Sequence, residues 1–127
     1  MAGWQDLETY IKSTYNYVTE LDFGYVIVFV SSNGEVVGKA LVSQAQDTSS
    51  GTWAKILVPM EGIKSENLDA LFEYVVKISC GALVKIGDDY CLRHSVLIEP
   101  FSGDVFHTSL MAVLASAMFV ESSVVKR

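Results

Sequence analysis

Residues 81–100 read GALVKIGDDYCLRHSVLIEP, and the whole chain is read differently depending on whether this stretch is a reactive site or a strand hairpin. It gathers Asp88, Asp89, Cys91, Arg93 and His94 within a few positions. Alternation puts Tyr90, Leu92, His94, Val96 and Ile98 on one face of a strand, and Cys91, Arg93, Ser95, Leu97 and Glu99 on the other. A three-residue loop, Gly87-Asp88-Asp89, pairs Ile86 with Tyr90, Val84 with Leu92 and Ala82 with His94, so the apolar faces of both strands agree. A two-residue loop would set Val84 opposite Arg93, and register therefore favours the longer loop.

The pleat then disperses the reactive groups. Cys91 and His94 project to opposite faces and cannot close on one zinc ion, so no metal site is expected. Cys80 falls level with residue 96, roughly 17 Å along the strand from Cys91, too far for a disulfide. Asp88 and Asp89 read as turn residues. No GxSxG elbow, GxxxxGK[ST] or GxGxxG motif occurs anywhere in the chain. These observations argue for a non-enzymatic domain with no catalytic residue and no cofactor.

The chain is 127 residues long, the size of one domain (1–127), and half of it is hydrophobic, enough to bury a core. Nine basic against fifteen acidic side chains leave a net charge of −6, which repels phosphate backbones and anionic lipid. Nucleic acid and membrane partners are not expected. The start, MAGWQDLETY, lacks a signal-peptide pattern, and the apolar run LMAVLASAMFV at 110–120 is shorter than a bilayer span. A cytoplasmic protein is therefore expected, and two cysteines fit a reducing compartment as well as any other.

Outward from the hairpin, Trp4, Leu7, Ile11, Thr14, Tyr15, Val18 and Leu21 repeat at helical spacing and predict a first helix over 4–21, broken by Gly24. The run YVIVFV at 25–30, the turn SSNG with Asn33-Gly34 as a type I′ turn, and a strand over 35–46 predict a hairpin. DTSSG is a polar loop, and TWAKILVP is a third strand ended by Pro59. Ser65 caps a helix with an apolar stripe of Leu68, Leu71, Phe72, Val75 and Val76, stopped by Gly81. After the hairpin, a last helix runs from Ser102 or Asp104 to about Val124, with Lys126 and Arg127 at its negative end. The expected fold class is α+β, one antiparallel sheet in the order α-β-β-β-α-β-β-α.

The last helix is apolar around its circumference, interrupted within 110–120 by Ser116 alone. It needs cover on a second side, from the first helix or from a partner. Leu110, Leu114 and Met118, spaced by four, are the candidate stripe for self-association or an apolar client. Trp53, Lys55 and Leu57 on the third strand join that surface if one sheet face lacks a helix.

The order of elements resembles the type III secretion chaperone-like fold, including the YbjN-type proteins. The similarity is greatest from NLDALFEYVVKISCGALVKIGDDYCLRHSVLIEP through SGDVFHTSLMAVLASAMF. It implies a chaperone-like, non-enzymatic domain, a homodimer that holds a polypeptide segment along its surface, and it carries over no active-site residue. The sequence leaves two other readings open: a small ligand-binding or enzymatic domain with a pocket near His94, Tyr90 and Arg93, and a structural subunit of a larger assembly.

Overall fold

The computed structural model describes residues 2–45 and 51–125. Helix α1 covers Ala2–Thr14, followed by strands β1 (Val18–Leu21), β2 (Gly24–Val30), β3 (Val36–Gln44) and β4 (Trp53–Pro59). A 3₁₀ turn at Ser65–Asn67 leads into α2 (Leu68–Val75), then β5 (Ala82–Ile86), β6 (Asp89–Leu97) and α3 (Gly103–Val125). The six strands form one open antiparallel sheet in the order β1-β2-β3-β4-β6-β5. The fold is therefore α+β with three helices, as expected in class, but with one strand more than the sequence reading held.

That strand comes from the first helix, which ends at Thr14 rather than reaching 21. The segment Tyr15 to Thr19 is aromatic and β-branched, and these side chains lose rotamer freedom against a helical turn. Val18–Leu21 instead pairs with β2, with Leu21 opposite Gly24. The next hairpin is where it was expected, but its turn is not type I′. Gly34 alone takes a positive φ (88°), after a turn closed by the Gly34 N–H donating to the Ser31 carbonyl at 3.0 Å. The Asn33 Oδ1 holds the Glu35 N–H at 3.2 Å, so Asn33 acts through its side chain instead of its backbone.

The late hairpin also differs in register. Ile86 faces Asp89, Val84 faces Cys91 and Leu83 faces Leu92, around a two-residue turn, Gly87-Asp88, with Gly87 at φ 60°. A glycine in that conformation at the first turn position matches a type II′ turn and the strand twist. The edge strand β5 is apolar on both faces, so hydrophobic pattern alone did not fix which face turns inward. Leu83 packs against the core, and Val84 and Ile86 take the other side. The assignment of β6 holds: Tyr90, Leu92, Val96 and Ile98 are buried and His94 is half-buried on the same face.

All three helices lie on that face. Leu7 and Ile11 of α1, Leu71 of α2, and Phe106, Leu110, Val113 and Val120 of α3 join Tyr25, Ile27, Ala40, Val42, Ala54, Ile56, Val58 and Leu92 in a single core. Ser102 caps α3, its Oγ accepting the Val105 N–H at 3.3 Å and its carbonyl the Phe106 N–H at 3.0 Å. The second helix is shorter than expected. The Lys64 N–H donates to the Asn67 Oδ1 at 2.9 Å and the 3₁₀ turn occupies Ser65, so Ser65 is not the cap. The helix stops at Val75, before Gly81, leaving Phe72 and Val76 57% and 80% exposed. Most of the polar loop at 47–51, and the closing Lys126 and Arg127, lie outside the described residues.

Candidate functional site

A sheet with all its helices on one side has a second side to account for. Along β4 the pleat divides cleanly: Ala54, Ile56 and Val58 are buried, while Trp53, Lys55, Leu57 and Pro59 are half-buried and face away from the helices. Cross-strand pairing extends this face in rows. Val26, Leu41, Leu57 and Arg93 lie side by side across β2, β3, β4 and β6. Ser43, Lys55 and Ser95 form the neighbouring row, and Trp53 sits opposite Leu97. On the far side of the apolar row Val28 faces Lys39, and Pro59, Cys91 and Val84 follow one another. None of these side chains packs against the helical core. The result is a broad, gently polar-studded apolar surface that no described helix covers.

Trp53 and Leu57, picked out from the sequence, belong to this face. The other three candidates do not assemble as a stripe. Leu110 and Leu114 are buried between α3 and the sheet, because the helix spends their side on the core, and only Met118 is exposed. The neighbouring helices cover α3 only in part: the Tyr74 ring of α2 meets Phe119 edge-on at 6.0 Å and Tyr10 of α1 meets Phe106 at 6.2 Å, while Val105, Phe119 and Val125 stay exposed. By length and composition α3 passes as a membrane-crossing helix, yet seven of its residues are buried within this fold.

The three residues named for the alternative of a pocket near His94 do not share a face. Tyr90 and His94 point to the helical side and Arg93 to the open side. Cys91 is buried on the open face, between Val84 and Pro59, and away from His94. Burial pushes its thiol pKa up, and the Asp89 carboxylate adds to the effect. Burial raises the Cys80 thiol in the same way. Both sulfurs are thereby held as thiols at neutral pH, the unreactive form. Both cysteines are free, and no cluster of three metal-binding side chains occurs among the described residues.

A polar corner lies at the other end, where α1 meets the β1–β2 turn. The buried Tyr25 hydroxyl donates to Glu8 Oε2 at 2.6 Å, and the Lys12 ammonium sits 3.6 Å from Glu20 Oε1 and 5.6 Å from the Tyr25 ring centroid. A groove of about 310 Å³ runs beside it, lined by Trp4, Glu8, Asp22, Phe23 and Tyr25 among others. The Tyr25–Glu8 and Lys12–Glu20 contacts bracket α1 to the sheet beside it. Sequence reasoning missed Val26, Val28, Leu41 and Val84 as members of the open face. The signal was present in YVIVFV, where apolar residues occupy both alternating positions and so must line both sides of the sheet. No protein-family model matches this chain, and no curated protein matches it in sequence.

Proposed function

We propose that this chain is a non-enzymatic polypeptide-binding module, chaperone-like in fold and in use, acting as a cytoplasmic homodimer. The observation that carries the reading is the open sheet face. Val26, Leu41, Trp53, Leu57 and Leu97 form apolar surface on a continuous antiparallel platform, and contiguous apolar surface of this kind marks a binding site more often than accident. An extended polypeptide suits it, since alternate side chains can meet the rows while the rest stay in water. The thiols favour the same reading, because both sulfurs are held unreactive. Self-association is assigned to a different surface, where Met118 lies beside Val37 and Val125 in a shallow apolar groove.

The test is titration of the full chain into a denatured, fluorescently labelled model polypeptide, followed by anisotropy. Saturable binding that Leu41→Ser with Leu57→Ser weakens about tenfold or more, without loss of the folded circular-dichroism spectrum, supports the proposal. Binding that survives the double substitution unchanged, or no binding by the folded chain, sinks it.

A further inference from the structure

The charges on the open face run against the charge of the protein. The chain as a whole carries −6, yet the charged side chains within the rows of this face are Lys39, Lys55 and Arg93. Its carboxylates lie at the margins: Asp89 starts β6 beside the turn, Glu99 lies past its end, where Thr52 donates to it at 3.3 Å, and Glu61 follows the end of β4. Lys39 is paired with Glu61 at 2.6 Å. Lys55 and Arg93 have no ion-pair partner among the described residues. They are also diagonal neighbours, since Lys55 pairs with Ser95 and Arg93 lies two positions along the same strand. Diagonal side chains across a sheet stand roughly 7 Å apart, close enough for like charges to repel.

Two uncompensated cations amid Leu41, Leu57, Trp53 and Leu97 make a surface complementary to apolar groups interspersed with carboxylates. From this juxtaposition we infer that the open face takes an acidic polypeptide segment, its apolar side chains on the Val26–Leu41–Leu57 row and its carboxylates on Lys55 and Arg93. The inference rests on the polypeptide-binding reading and adds its charge preference. The planar guanidinium of Arg93 can take a carboxylate through two parallel hydrogen bonds, and Lys55 supplies a second point charge. A second copy docked face to face would bring a face whose row charges are likewise cations, which disfavours it as occupant. Nucleic acid offers anions too, but a phosphate backbone has no apolar side chains to set on the Val26–Leu41–Leu57 row.

The experiment titrates the full chain into two labelled peptides of strand length, one alternating leucine and valine with glutamate, the other with lysine at every glutamate. The glutamate peptide is expected to bind at least about tenfold tighter at low salt, with the preference shrinking as ionic strength approaches about 1 M. Lys55→Gln with Arg93→Gln should remove the preference and Lys55→Glu with Arg93→Glu should reverse it, both in chains whose folding is confirmed by circular dichroism. Leu41→Ser with Leu57→Ser should weaken both peptides. Equal affinity for the two peptides, with both lost in the leucine double variant, overturns the acidic preference and leaves the polypeptide-binding proposal intact. No binding of either peptide by the folded chain overturns both. Tighter binding of an oligothymidylate than of the glutamate peptide overturns the inference as well.

Discussion

Ile56 and Leu57 are neighbours in sequence and similar in size, yet the pleat sends one into the helical core and the other to the open face. Truncating Ile56 to alanine leaves a cavity in a fully buried site and is expected to cost about 3 kcal/mol. Leu57→Ala removes a half-exposed side chain and should cost about 1 kcal/mol or less. Urea unfolding of the two variants checks this, and equal losses would mean that the open face is covered. Tyr25 supplies a second prediction. Burial, then the hydrogen bond to Glu8, raises its phenol above the ordinary value of 10.0. The neutral form is thus favoured by folding, and its contribution is fully present below about pH 10. As pH rises past that value the unfolded chain releases the proton first, so stability falls. Melting temperatures between pH 8 and 11 should drop less steeply for Tyr25→Phe than for the parent chain.

Helix α2 shows how an element's pattern can exceed its use. Leu68, Leu71, Phe72, Val75 and Val76 form one stripe by spacing, but the helix ends at Val75, and Leu68, Ala70, Leu71, Tyr74 and Val75 meet the core while Phe72 and Val76 stay exposed. Leu71→Ala is expected to destabilise by about 3 kcal/mol, whereas Val76→Lys should stay within about 0.5 kcal/mol. Thermal unfolding of both proteins decides this, and a large loss for Val76→Lys would place that residue against something. The strands were legible where a turn residue and a chain of β-branched residues coincided, as for β2, β4 and β6. They were not legible where a helical period happened to run on. Val18 and Leu21 continue the spacing of Leu7 and Ile11, but a strand edge offered by β2 captured them.

At the scale of the molecule, among the described residues one side of the sheet carries three helices and the other carries none, and net negative charge surrounds a face whose row charges are positive. The groove at Met118, Val37 and Val125 is acidic at its margin through Glu121. Sedimentation velocity should show a concentration-dependent dimer, with Met118→Asp shifting the balance to monomer by about tenfold while the melting temperature holds. A strictly monomeric parent chain at high concentration would remove the dimer from the proposal.

Local chemistry determined the class of fold, the positions of most strands, the capping of α3 by Ser102 and the inward face of β6, because these depend on near neighbours and on the period-two pleat. It also set Cys91 and His94 on opposite faces of β6. Tertiary structure decided the rest. Whether Val18–Leu21 joins a helix or a sheet, which face of β5 turns inward, and whether Leu110 and Leu114 meet the core or a partner are choices between apolar environments that look alike along the chain. Burial is non-directional, so a side chain's pattern states that it needs cover, and only the arrangement of the other elements states what supplies it.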